Sequence, residues 1–378
     1  MGHPIESLHE IILQFEISGE LEKVEPFGQG HINQTFLSQW NHAGIKKRYI
    51  HQRINDKVFV RPDQVMENIY RVTNHIRNSK SRAASSDRFT ADSSRSTLTI
   101  IPARDNRLWG RDKEGGWWRT YLYIEGCHSL ELSTSRNDAR VLGESIAHFQ
   151  KELSDLGLPR LHETIPAFHD MVRRYKSFHE SLLKDDHNRA KDVKREIDFF
   201  IKNEDRGAIL VQSIQEGTIP ERICHNDCKI NNILLDDESG EALCVIDLDT
   251  VMPGTPLFDF GDLVRTVCTS AAEDEKDLYK VKFDPDYFKA LLTGYLSEAI
   301  EFLLPPELDL LCEAGRNLTQ IMGLRFLTDY LDGDRYYHIS RPDHNLDRCR
   351  NQIALIKSLD LQWEAGQLIV KKLCRERT

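Results

Sequence analysis

The stretch from Ile223 to Thr250, ICHNDCKINNILLDDESGEALCVIDLDT, places acid, amide and histidine side chains between runs of apolar residues. Among them are Asp227, Asn232 and Asp247. Carboxylate and amide oxygens suit two kinds of chemistry, namely accepting a proton and binding a hard cation such as Mg²⁺. The stretch therefore predicts a reactive centre, provided that the chain brings these side chains together.

The same stretch predicts a β-hairpin. Ile233 to Leu235 form one strand, a turn centred on DESGE reverses the chain, and Leu243 to Ile246 form the other strand. A hairpin brings its ends together, so we expect Asn232 and Asp247 to lie side by side although fifteen positions separate them. An amide oxygen beside a carboxylate suits Mg²⁺, which keeps its other positions for water and phosphate.

Asp227 precedes Asn232 by five residues and is placed to accept a proton from a substrate hydroxyl. The order His-x-Asp-x4-Asn and then Asp matches the catalytic and metal loops of kinases. Turn formation is the alternative explanation for such residues. We expect His225 to hydrogen-bond the loop backbone, and Asp249 to be either a second metal contact or a solvated side chain.

Length and composition limit the class of protein. A chain of 378 residues with 40% hydrophobic content predicts two packed lobes, and a net charge of -10 argues against a general nucleic-acid or membrane surface. Its eight cysteines form no C-x-x-C pair, which indicates reduced thiols. We see no signal peptide and no membrane span, so we expect a soluble, cytoplasmic protein.

Apolar spacing divides the chain into a strand-rich and a helical part. Residues 5–17 and 62–76 read as helices, strands with a glycine turn lie between them, and the serine-rich residues 78–97 predict a mobile surface loop. Beyond Gly126 most segments have helical periodicity. The prediction is an α+β fold with lobes at residues 1–125 and 126–378.

Three motifs, HNDCKINNILLD, VIDLDTVMPGTPLFDFGDLVR and GQGHINQTF, resemble the aminoglycoside phosphotransferase and choline kinase superfamily of small-molecule kinases. Within it, GLRFLTDYLDGD and RPDHNL are similar to segments of bacterial N-acetylhexosamine 1-kinases. The resemblance implies a bilobal, protein-kinase-like fold with ATP between the lobes. It also implies γ-phosphoryl transfer to the anomeric hydroxyl of GlcNAc or GalNAc, which gives a sugar 1-phosphate.

Carried over to this sequence, the resemblance makes Asp227 the catalytic base and Asn232 and Asp247 the Mg²⁺ ligands. Asp259 of FDFGD would brace the catalytic loop through hydrogen bonds.

The nucleotide contacts are expected in the first lobe. Gly28 and Gly30 allow backbone N–H groups to approach phosphates, although a plain hairpin turn explains them as well. The strand RYIHQRIN has no lysine for the phosphates, so we expect Arg53 to supply that charge and Glu67 to pair with it. A surface position for Arg53 and a register that places Gln52 there are the alternatives.

The acceptor contacts are expected in the C-terminal helices. Arg325 and Asp329 share a helical face, where composition alone favours an ordinary ion pair. The resemblance instead makes Arg325 and Tyr336 acceptor contacts, with His31 and Asn33 as additional ones.

Two other functions compete with a sugar kinase. One keeps the chemistry and changes the acceptor to choline, homoserine, methylthioribose or an aminoglycoside. The other is a kinase-like binding module without turnover, suggested by the missing lysine, against which the set Asp227, Asn232 and Asp247 argues.

Overall fold

The computed structural model of the chain describes residues 5–28, 32–82 and 95–377. The strands are β1 (Glu20–Pro26), β2 (Gln34–His42), β3 (Ile45–Ile54), β4 (Ile100–Ile101), β5 (Gly110–Arg111), β6 (Trp117–Leu122), β7 (Cys127–Ser129), β8 (Arg222–Cys224), β9 (Ile233–Asp236), β10 (Ala242–Val245) and β11 (Met252–Gly254). The helices are α1 (Ile5–Ile12), α2 (Pro62–Arg82), α3 (Arg136–Glu152), α4 (Met171–Lys184), α5 (Lys194–Lys202), α6 (Glu204–Gly207), α7 (Ile209–Gln215), α8 (Pro256–Val267), α9 (Pro285–Ala299), α10 (Pro305–Asp309), α11 (Leu311–Leu331), α12 (His344–Leu361) and α13 (Trp363–Arg377).

The first of two compact units contains Met1–His128, Leu156–Pro166 and Asp236–Met252. Its centre is an antiparallel sheet in the order β1, β2, β3, β6, β4, with β5 paired to β6. Alternate residues of a strand face the same side, so Trp40, Tyr49 and Trp118 share one face and pack with α1 in a buried core. Burial of that face stabilises the strand-rich unit.

Helix α1 is shorter than the periodicity predicts. It ends at Ile12, because the backbone beyond it pairs with a distant segment. Glu16 N donates to Pro102 O at 2.8 Å, and Arg104 N donates to Gln14 O at 2.8 Å. Long-range backbone hydrogen bonds thus replace the last helical turns. The prediction of a helix over residues 5–17 is therefore wrong for residues 13–17.

The turn between β9 and β10 is closed by backbone hydrogen bonds. Asp236 N donates to Glu241 O and Gly240 N donates to Asp236 O, each at 2.9 Å. The Asp236 side chain accepts from Ser239 N at 2.9 Å, and Gly240 adopts φ 69°, which favours glycine. The predicted strands and turn are present.

Helix α2 begins at Pro62, as predicted, but continues to Arg82. Residues 78–82 are therefore helical rather than part of a loop. Residues 83–94 of the predicted serine-rich loop lie outside the described part of the chain.

The second unit contains Ser129–Asp155, Ala167–Leu235 and Pro253–Thr378 and is mainly helical. Glycines allow its helices to approach closely. A Cβ on Gly294 of α9 would lie 1.9 Å from Arg140 O of α3, and one on Gly143 of α3 would lie 2.2 Å from Leu291 O. The α+β fold predicted from the sequence, strand-rich first and helical later, is confirmed.

No helix in the described ranges has both the length and the apolar character that crossing a membrane requires.

The contact between α3 and α9 generates a stability prediction. Gly294→Ala should destabilise the protein by about 1–3 kcal/mol or more, because the added methyl group meets backbone that cannot move aside. Gly366→Ala on α13 is the matched control, since its Cβ would meet only Cys312 Sγ at 3.5 Å. Urea unfolding should leave this control unchanged or slightly stabilised. Equal midpoints for the two variants would contradict the close approach.

Candidate functional site

Asp259 organises the backbone that leads to Asp227. It is fully buried in the first turn of α8. Its Oδ2 accepts from His225 N at 3.0 Å, its Oδ1 accepts from Asn226 N at 2.7 Å, and Gln150 Nε2 donates to Oδ2 at 2.9 Å. Burial raises the pKa of Asp259 although these contacts oppose the shift. The hydrogen bonds expected of Asp259 are therefore present, and they fix two consecutive peptide groups of the loop.

Asp227 lies at the end of this braced segment with 26% of its side chain exposed. Its backbone N–H donates to His225 Nδ1 at 3.2 Å, the loop contact expected of that histidine. Lys229 Nζ lies 3.2 Å from Asp227 Oδ2. Burial alone would raise the pKa of Asp227, but the charges of Lys229, His225 and Arg325 outweigh it and hold the pKa below its ordinary value. The carboxylate is ionised at neutral pH and can accept a proton.

Asn232 and Asp247 carry the oxygens predicted to bind a cation. Asn232 is buried, and its Nδ2 donates to Asp227 O at 2.8 Å, which directs Oδ1 away from that contact. Asp247 is exposed and adopts φ 60° and ψ 52° before a short 3-10 turn, Leu248–Thr250. Asn232 belongs to the second unit and Asp247 to the first.

No group of three or more His, Cys, Asp or Glu side chains suited to a metal occurs in the described part of the chain. Mg²⁺ usually takes only one or two protein carboxylates and completes its shell with phosphate and water. A carboxylate oxygen and an amide oxygen, the donor types predicted at Asp247 and Asn232, suit Mg²⁺ better than a softer ion.

Asp249 is not solvated, so that alternative is wrong. It is 3% exposed, and Arg119 Nη1 and Nη2 both donate to its carboxylate, Nη2 to Oδ2 at 2.9 Å. Asn33 Nδ2 also donates to Oδ2, at 2.7 Å. Both oxygens are thus occupied by protein donors, which disfavours Asp249 as a metal ligand.

The glycine-containing segment is described only in part. Gly28 adopts φ 71° with open space at its Cβ position, so its backbone conformation rather than a close neighbour requires glycine. Gly30 and His31 lie outside the described residues. Asn33 accepts from Asn55 N through Oδ1 at 3.0 Å and donates to Asp249 through Nδ2, so both ends of its amide bind protein atoms.

Arg53 and Glu67 do not form the expected pair. Arg53 Nε lies 3.2 Å from Asp112 Oδ2, and Glu67 Oε2 lies 2.9 Å from His162 Nε2. Each side chain contacts a different partner, so the predicted pair of Arg53 and Glu67 is not formed. Gln52, from the alternative register, accepts from Arg119 Nε at 2.9 Å.

Arg325 lies among aromatic rings. Its Cζ lies 4.8 Å from the Phe168 ring centroid, 5.6 Å from that of Tyr336 and 5.4 Å from that of Tyr337. Its Nη2 is 3.4 Å from Tyr336 Oη, and the residue is 9% exposed. Among the described residues it has no ion pair with a carboxylate.

Asp329 shapes the turn that carries these tyrosines. Its carboxylate accepts from the backbone N–H groups of Arg335, Tyr336 and Tyr337 at 2.8–2.9 Å, and from Asn345 Nδ2 at 2.9 Å. Because these four donors occupy the oxygens of the Asp329 carboxylate, Asp329 does not form the ion pair with Arg325 that composition favours.

A second guanidinium accompanies Arg325. Arg174 Nε and Nη2 donate to Phe168 O at 3.1 and 2.7 Å. Burial, together with the nearby charge of Arg325, lowers the pKa of Arg174 to about 10. It stays protonated at neutral pH, so two cations lie close together.

Comparison with known proteins decides the family. Residues 23–299 match the family described as phosphotransferase enzyme family, which is well over half of the chain. The chain belongs to the phosphotransferase enzyme family. This confirms membership of the aminoglycoside phosphotransferase and choline kinase superfamily of small-molecule kinases that the motifs predict.

Solved structures share the fold of this phosphotransferase at low sequence identity. An aminoglycoside phosphotransferase from Alicyclobacillus acidocaldarius is 12% identical with a TM-score of 0.56, over 100% of this chain and 97% of that one. A choline kinase from Cryptosporidium parvum is 14% identical with a TM-score of 0.57, over 93% of each chain. A spectinomycin phosphotransferase solved with ADP and spectinomycin is 12% identical with a TM-score of 0.51, over 95% of each chain. These likenesses show a protein-kinase-like fold.

The sequence analysis missed three cations of this phosphotransferase, namely Arg119, Lys229 and Arg174. Only Arg119 has a clear signal in the sequence, because a charge inside the strand WWRTYL must find a partner when the strand is buried. Lys229 follows Asp227 by two residues, a spacing that does not by itself predict contact.

The Lys229 contact generates a prediction about pH. Lys229→Gln removes the cation that lowers the Asp227 pKa, so that pKa should rise. The acid limb of the kcat/KM profile should move to higher pH, because a larger fraction of the base is protonated at a given acidic pH. Lys194→Gln, at an exposed position, is the matched control. An acid limb that is the same in both variants would show that Lys229 does not tune the base.

Proposed function

We propose that this phosphotransferase transfers the γ-phosphoryl group of ATP to the anomeric hydroxyl of an N-acetylhexosamine, GlcNAc or GalNAc. Phosphoryl transfer asks the protein mainly for positioning and charge neutralisation. In this proposal Asp227 orients the acceptor hydroxyl and takes its proton as the bond to phosphorus forms. Its low pKa keeps it ready to do so at neutral pH.

The charge near Asp227 supports a neutral acceptor and is the observation that carries the proposal. Arg325 acts on the Asp227 carboxylate electrostatically, and Arg174 lies near Arg325. Neither guanidinium has a carboxylate partner in the described ranges. The ammonium of choline or the several ammonium groups of an aminoglycoside would meet like charge here, which costs binding free energy.

The aromatic rings support the same choice. A quaternary ammonium ion binds over open aromatic faces, but Arg325 already lies over Phe168, Tyr336 and Tyr337. Guanidinium N–H groups instead donate to the hydroxyl and acetamide oxygens of a sugar. Tyr336, 49% exposed, offers ring surface to the apolar face of a sugar.

Asn232 and Asp247 would hold Mg²⁺ through Oδ1 and a carboxylate oxygen. The bound cation would neutralise charge on the phosphates. We leave Asp249 out of this set because Arg119 and Asn33 occupy its oxygens. Use of ATP is supported by the family and by the ADP bound to the spectinomycin phosphotransferase of the same fold.

We assign nucleotide binding to residues 1–125 and catalysis with acceptor binding to residues 126–378. Arg53 is paired with Asp112 and would have to exchange that partner to reach a phosphate. Backbone N–H groups of the segment from Gly28 to Gly30 and the bound cation are therefore the proposed phosphate contacts. His31 is a proposed acceptor contact, whereas Asn33 has a structural part because both ends of its amide bind protein atoms.

All eight cysteines are free thiols, most of them buried. Reduced thiols are typical of a reducing compartment, and we propose the cytoplasm as the site of action.

The base is tested by Asp227→Asn, which keeps the size of the side chain and removes its proton affinity. We expect kcat to fall by about 10²-fold or more with nucleotide binding nearly unchanged, because the lost contact acts in the transition state. Asp237→Asn, the same change at a half-exposed turn residue, should keep full activity. Phosphorus NMR of the wild-type product should show a sugar 1-phosphate; a 6-phosphate would reject the anomeric acceptor.

The acceptor contact is tested by Arg325→Met, which removes the charge and keeps most of the length. The KM for N-acetylhexosamine should rise by about tenfold while the KM for ATP stays constant, since the guanidinium binds only the acceptor. Arg173→Met on the same helix as Arg174, with 70% of the Arg173 side chain exposed, is the control. Wild-type turnover of choline or kanamycin in place of every N-acetylhexosamine would overturn the neutral-acceptor argument and retain a kinase.

A further inference from the structure

Arg119 is a buried cation in the middle of β6. The residue is 1% exposed, and both of its terminal nitrogens donate to the Asp249 carboxylate, while Nε donates to Gln52 Oε1 at 2.9 Å. Burying such a pair carries a large desolvation cost, and well-packed apolar residues of similar volume often stabilise a fold as well as a buried ion pair does. The guanidinium of Arg119 is a planar fork whose two terminal nitrogens donate in fixed directions. An apolar pair would not supply this directional geometry.

The segment that follows Asp247 is held from several sides within the first unit. Asn33 Nδ2 donates to Asp249 Oδ2 at 2.7 Å, and Thr164 Oγ1 donates to Asp249 O at 2.7 Å. Asn68 Nδ2 donates to Val251 O at 3.0 Å. Arg119 is the only one of these partners that carries a charge, and its fork sets the orientation of the Asp249 side chain.

The backbone of Asp247 itself has an uncommon conformation. Its φ of 60° lies in the left-handed region, which non-glycine residues rarely adopt. The next three residues form a 3-10 turn that places Asp249 in the fork, and Val251 N closes it onto Leu248 O at 3.2 Å. Aspartate enters this region more readily than most non-glycine residues, and contacts of the neighbouring residues help to hold it there.

We propose that the Arg119–Asp249 pair is a positioning device that fixes the carboxylate of Asp247 for Mg²⁺ binding. Arg119 touches neither substrate nor cation in this role and acts through the turn between Asp247 and Asp249. The inference rests on the proposed function, since Asp247 as a Mg²⁺ ligand is part of it. The inference assigns a role to Arg119, which lies outside the kinase-like motifs of the sequence.

Mn²⁺ binding measured by EPR, with a non-hydrolysable ATP analogue present, tests the pair without using turnover. Arg119→Lys keeps the charge and loses the fork, so Mn²⁺ affinity should fall by about tenfold, as for other residues that orient a metal ligand. Arg111→Lys on β5, whose side chain stacks on Trp117, is the matched control and should bind Mn²⁺ as the wild type does. Wild-type Mn²⁺ affinity in folded Arg119→Lys would overturn the inference.

A double variant covers the case in which Arg119→Lys does not fold. Arg119→Gln with Asp249→Asn removes both charges and leaves no unpaired buried ion. We expect it to fold, as judged by circular dichroism, and to bind Mn²⁺ about tenfold more weakly than the wild type. Unchanged Mn²⁺ affinity together with a lower melting temperature would mean that the pair is structural only, and would overturn the inference.

Asp247→Asn separates failure of the inference from failure of the proposed function. Loss of Mn²⁺ binding in Asp247→Asn and in Arg119→Lys supports both. Loss only in Asp247→Asn keeps the metal assignment and rejects the role of Arg119. Wild-type Mn²⁺ affinity in Asp247→Asn rejects the metal assignment itself, and the positioning role with it.

Discussion

The contact on which the segment that leads to Asp227 depends is the pair of hydrogen bonds from the backbone N–H groups of His225 and Asn226 to the buried carboxylate of Asp259. A buried carboxylate requires hydrogen-bond donors. Two consecutive backbone N–H groups can both donate to one carboxylate only in a restricted backbone conformation. Asn226 accordingly adopts φ 65°. His169, itself buried, donates Nε2–H to Asn226 O at 2.7 Å, so the other end of that peptide is held as well. Asp227 is presented by a loop with little freedom.

The first unit also contains a buried carboxylate that accepts hydrogen bonds from protein donors. Asp249 is buried and its oxygens take donors from Arg119 and Asn33. In each case a buried aspartate that accepts from protein donors lies a few residues or hydrogen bonds from an aspartate with a proposed chemical role. The cost of burying the first carboxylate is offset by contacts that restrict the backbone of the second.

In the proposed function, charge favours a neutral acceptor in the second unit. Lys229, Arg325 and Arg174 are cations near the proposed base Asp227. Asp262, a buried carboxylate that also acts on Asp227, is itself paired with Arg265. The cations lower the pKa of Asp227. In the proposed function, the same charges also disfavour a cationic acceptor. Asp329 contributes indirectly, because it holds the turn that brings Tyr336 toward Arg325.

The sequence by itself determined the α+β fold, the turn after β9, the phosphotransferase family and the segment that holds Asp227, because these follow from local apolar spacing and short motifs. Only the tertiary structure decided the partners of long side chains. Arg119 and Asp249 are 130 positions apart, and Asp329 binds backbone N–H groups rather than the arginine one helical turn away. Charged side chains choose among all donors and acceptors that folding brings near them, and a linear pattern contains only those that are close in the chain.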